Sequence, residues 1–135
     1  MYTKKIIVFL FLLPLVVLSA KPTKIQELEI PIIILTPRET ISLYAPTKAI
    51  EKELLKVAIC ESKLNPNAIH YNDGGKGKHS VGIFQYQENT FKNFSKLMGE
   101  KLDYYSYNDQ IKLTSWIFAN HPELKKHWTC YNFKK

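Results

Sequence analysis

Residues 58–85 read "AICESKLNPNAIHYNDGGKGKHSVGIFQ", and within them a carboxylate, Glu61, stands between a cysteine and a serine at the end of an apolar run. Upstream, Ile50, Leu54 and Val57 recur at the spacing of a helix with one buried face. At about 100° per residue these three and Glu61 fall within roughly 60° of one another, so Glu61 continues the buried stripe. Thr47 is the expected N-cap of this helix, and Asn65 followed by Pro66 its stop. A glutamate on such a face is either paired with a cation for structural reasons or kept there because its surroundings raise its proton affinity. Apolar neighbours and the negative end of the helix dipole both disfavour its charged form.

Past the helix, "HYNDGGKGKHSVGIFQ" has the turn chemistry of a loop or a short β excursion, with Asn72, Asp73, Gly74 and Gly75 at the bend. "ENTFKNFSKLMG" sets Phe91, Phe94 and Met98 at helical spacing and ends on Gly99, a C-terminal cap. "YNDQIKLTSWIFAN" reads as a third helix capped by Asn108, and Pro122 opens a last short turn. The expected fold is mostly α, a small helical domain with a loop or short β insertion after its first helix. Residues 21–46 hold Pro22, Pro31, Pro37 and Pro46 and the run "IPIIIL" without a helical period. They read as an extended spacer, which puts the folded domain at 47–135.

Residues 1–20 have the order of a secretory signal peptide: two early lysines, an apolar stretch over 6–18 interrupted by Pro14, then Ser19 and Ala20 as a small-residue cleavage site. The apolar stretch falls short of the ~20 residues that span a bilayer. Without these residues the chain keeps 17 basic and 12 acidic side chains, a net +5, which favours an anionic polymer outside the membrane over nucleic acid. Two cysteines in an exported chain favour a disulfide, here Cys60 with Cys130. The four histidines show no regular ligand spacing, and "NDGGKGK" is too poor in acidic oxygens for calcium, so no metal and no cofactor are expected.

A carboxylic acid held protonated beside an open glycine-bearing loop suits glycosidic bond cleavage, because the leaving oxygen must receive a proton. Such chemistry usually uses a second carboxylate, and among Asp73, Glu88, Asp103 and Asp109 the best placed is Asp73. "AICESKLNPNA" followed by "SVGIFQYQENT" resembles the catalytic core of the soluble lytic transglycosylases and goose-type lysozymes, over about residues 48–118. The resemblance implies a lysozyme-like fold in which Glu61 is general acid and then base, supported by Ser62. It further implies that Ser80, Gly82 and Gln85 form a second motif, the glycine letting a glycan ring lie against the backbone and the glutamine bonding the sugar or the acid. Gln110 stands where the family carries an asparagine and supplies a side-chain amide to substrate binding, while Ile117 stands in place of a tyrosine.

The implied activity is cleavage of the β-1,4 bond between N-acetylmuramic acid and N-acetylglucosamine in peptidoglycan, as a lytic transglycosylase with one catalytic glutamate. Three alternatives compete with it: a hydrolytic lysozyme in which Asp73 places water, a non-catalytic wall-binding module, and a basic secreted protein acting on membranes or partners. The expected partner is the glycan strand of peptidoglycan, met by a monomer, with membrane contact only through an uncleaved signal segment.

Overall fold

The computed structural model describes residues 34–132. The expected signal peptide and residues 21–33 of the expected spacer lie outside the described residues. Helix α1 (Pro37–Tyr44) is followed by α2 (Lys48–Ser62), strands β1 (Ile69–Tyr71), β2 (His79–Val81) and β3 (Tyr86–Gln87), then α3 (Glu88–Met98) and α4 (Tyr107–Asn120). A 3₁₀ turn (Pro122–His127) and the short α5 (Thr129–Asn132) complete it. The molecule is mostly α with a small β insertion, as its periodicity predicts.

Helix α1 corrects the spacer reading over its own residues. Thr36 caps it in a capping box with Glu39, Pro37 occupies the first turn, and Ile41 is fully buried. Proline is at home in a first helical turn, where its missing N–H costs no hydrogen bond, so Pro37 starts the helix instead of excluding one. At its end the Tyr44 carbonyl accepts a 2.7 Å bond from the Ser115 hydroxyl of α4.

α4 is the central element, packed against α1, α2, α3 and the 3₁₀ turn. Its Ile111, Leu113 and Ile117 are fully buried with Ile41, Leu54 and Val57 from the first two helices. Ser106, not Asn108, caps α4, accepting from the Asp109 amide at 3.2 Å. α2 is capped by Thr47 as expected but stops at Ser62, where Lys63 turns left-handed (φ +58°), three residues short of Pro66. α3 ends on Gly99 at φ +80°, as the sequence predicts. Among the described residues no helix is long and apolar enough to cross a membrane.

The β insertion is an antiparallel sheet in the order β1-β2-β3, with His70 opposite Ser80 and Val81 opposite Tyr86. Between β2 and β3, residues 82–85 make a tight turn in which Gly82 (φ +82°) and Gln85 (φ +51°) both take positive φ. This turn drives Ile83 and Phe84 into the core, both fully buried, and leaves Gln85 facing outward beside the end of α2.

Candidate active site

The 82–85 turn is fixed from three parts of the chain: α2, α4 and the segment after the 3₁₀ turn. From α2, the Ser62 hydroxyl lies 2.8 Å from the Ile83 carbonyl and 3.1 Å from that of Ala58. From α4, the fully buried Gln110 amide accepts from the Phe84 N–H at 3.4 Å and donates to Val81 and Tyr104 carbonyls at 3.2 and 2.8 Å. From the segment after the 3₁₀ turn, the Trp128 indole N–H donates to the Phe84 carbonyl at 3.0 Å. These bonds satisfy the polar groups of a turn whose centre is out of reach of water.

A cleft of about 330 Å³ opens beside this turn, within the size range of ligand sites. It brings together Glu61, Asp73, Ser80 and Gln85, four of the residues singled out in the sequence, and His127, Trp128 and Thr129 also line it. Ser62, Gly82 and Gln110 do not line it. A Cβ on Gly82 would lie 2.3 Å from the Gln110 amide nitrogen, so the glycine leaves room for Gln110. Gln110 is fully buried there and braces the turn. Gln85 donates to the Ala68 and Gly82 carbonyls at 3.2 and 2.7 Å, which fixes its side chain at the cleft edge.

Glu61 sits in the last turn of α2, half-buried, and burial in the cleft wall pushes its carboxyl above the ordinary range. The negative charge of Asp73 acts in the same direction, while the Cys130 amide, 3.4 Å from Glu61 Oε1, and the His70 ring oppose it. Asp73 is held at both ends: its carboxylate accepts from the buried Ser80 hydroxyl, and its carbonyl accepts from Gln87 Nε2 at 3.0 Å. The arrangement presents one carboxyl biased towards its protonated form and a second that is anchored in the same cleft.

The disulfide joins Cys60, adjacent to Glu61, to Cys130 across a sequence separation of 70, with Cα atoms 5.9 Å apart. It carries residues 127–129 to the cleft, a wall that helical periodicity did not signal. The signal available was the cysteine pair itself: a bridge to the neighbour of Glu61 brings the residues before Cys130 along with it.

The family model described as the transglycosylase SLT domain matches residues 41–122. The chain belongs to the transglycosylase SLT domain family. The match begins within α1, which places the end of that helix inside the family's domain, and it covers Glu61, Asp73, Ser80, Gln85 and Gln110. The 127–130 segment lies beyond the matched residues. No curated protein and no solved structure matches the chain.

Proposed function

We propose that this SLT-family protein is an exported lytic transglycosylase that cleaves the β-1,4 bond between N-acetylmuramic acid and N-acetylglucosamine in peptidoglycan, with Glu61 as its catalytic acid and base. The observation that carries this reading is a helix-end carboxyl, half-buried and biased towards its protonated form, facing a polar cleft of ligand size. Glu61 donates its proton to the glycosidic oxygen as the C1–O bond breaks, and the substrate's own acetamido group stabilises the cation developing at C1. The Glu61 carboxylate then takes the proton of the 6-hydroxyl as that oxygen bonds to C1. The product is a 1,6-anhydro sugar, and Glu61 is returned to its starting form.

A second reading, hydrolysis, is favoured by the anchored Asp73 in the same cleft. In that case Glu61 deprotonates a water that Asp73 and Ser80 hold against C1, and the product keeps both hydroxyls. Mass spectrometry of muropeptides released from purified peptidoglycan separates the routes, since anhydro ends are lighter by one water. Transglycosylation predicts anhydro products that Asp73→Asn leaves dominant; hydrolysis predicts hydrated ends that decline in that variant. Undiminished release of soluble product by Glu61→Gln would remove the basis of both.

A further inference from the structure

The strap formed by residues 127–130 alternates in and out of the molecule. Trp128 and Cys130 are buried while His127 and Thr129 are exposed, as an extended step at Trp128 (φ −94°, ψ 114°) requires of neighbouring side chains. The inward pair anchors it. Trp128 bonds the Phe84 carbonyl and packs edge-on against Phe84, Tyr86 and Phe118, and Cys130 is tied to the end of α2. Just upstream, the buried Lys125 ammonium meets Glu53 of α2 at 2.5 Å. The outward pair lines the cleft that holds Glu61. His127 is also oriented, its ring edge-on to Phe94 with centroids 5.1 Å apart.

We infer that His127 and Thr129 form a sugar-binding wall of the cleft, contacting an N-acetylated ring of the glycan strand and setting how tightly the strand is held against Glu61. This rests on the glycosidase reading above and adds to it a substrate contact from outside the residues matched by the family. An imidazole offers a ring face and nitrogen sites to sugar hydroxyls, and a threonine hydroxyl both donates and accepts. Because Trp128 and Cys130 anchor the backbone between and beside them, and Phe94 orients the His127 ring, little ordering of the strap remains to be done when substrate arrives. The wall therefore acts on substrate affinity more than on the chemical step.

The test uses the oxidised full chain and its His127→Ala, Thr129→Ala and double variants. Both positions are exposed, so the variants should melt with wild type. On soluble, uncrosslinked glycan strands the double variant should raise KM about five- to twentyfold, with a smaller change in kcat. A parallel titration of Glu61→Gln with N-acetylglucosamine oligomers, followed by amide chemical shifts, should show Kd weakened to a similar degree by the same two changes. Turnover by wild type with KM and Kd within twofold in the double variant overturns the sugar-binding wall alone. Weakened oligomer binding without turnover in wild type supports the wall and overturns the glycosidase reading.

Discussion

Replacing Cys60 and Cys130 together by serine removes the covalent link between the end of α2 and the strap that walls the cleft. The loop it closes is 70 residues long, and for a loop of that length the chain-entropy relation gives about 4 kcal/mol of stability at 25 °C. For a domain of ~100 residues each kcal/mol moves the midpoint by about 4–8 °C, so the variant should melt at least ~15 °C below the oxidised wild type. Circular dichroism melts of oxidised wild type, reduced wild type and the serine variant make the comparison, and the last two should coincide. Activity measured well below the lower midpoint should fall as well, since the strap brings the Cys130 amide to within 3.4 Å of Glu61. A midpoint shift under ~4 °C, less than about 1 kcal/mol, would show that the strap and α2 stay together without the bond and would refute the reasoning.

Glu61→Gln should lower glycan cleavage by roughly 10²–10⁴-fold, the usual contribution of a positioned acid. The same change should stabilise the fold at neutral pH: the folded carboxyl is raised above its unfolded value, so wild-type stability declines as pH rises through the interval between the two. Melting curves of both proteins should therefore converge below ~4, near the unfolded glutamate value, and separate above it, and the opposite order would exclude burial as the dominant influence on Glu61. Gly82→Ala forces a Cβ onto the Gln110 amide from a backbone at φ +82°. Left-handed strain and a displaced buried amide together should cost roughly 2–5 kcal/mol in urea unfolding, with part recovered by Gln110→Ala in the same chain. Ile41→Ala, which empties a fully buried site on α1, should cost about 2–5 kcal/mol by the same measurement, and a cost near zero would return α1 to the status of a spacer.

Much of the frame was legible because its signals were local. The repeat of Ile50, Leu54 and Val57 set the phase of α2, and that phase put Glu61 on the buried stripe, where the structure leaves it half-buried. Gly99 marked the end of α3 because a left-handed residue is needed there. α1 was also written locally, in "TPRE", whose threonine, proline and glutamate are a helix start; four prolines and a β-branched run nearby obscured it. The roles of Gly82 and Gln110 could not be read from spacing. They depend on one another across 28 residues, and only the packed structure shows that the glycine makes room for the glutamine. The strap was hidden for a similar reason: its outward side chains matter because its inward ones are fastened to distant elements.

That fastening has a consequence in time. Synthesis proceeds from the N-terminus, so Glu61 and the 82–85 turn emerge long before Trp128 and Cys130, and the turn lacks its indole donor until then. Helices α1 to α4 can collapse on the shared core first, because their contacts are already in the emerged chain. The cleft acquires its last wall only when the late segment arrives, and the covalent tie of that wall only when its thiol meets an oxidant. A chain still in a reducing compartment would hold the wall beside Glu61 by Trp128 and Lys125 alone, so the locking of the cleft is tied to the place where disulfides form.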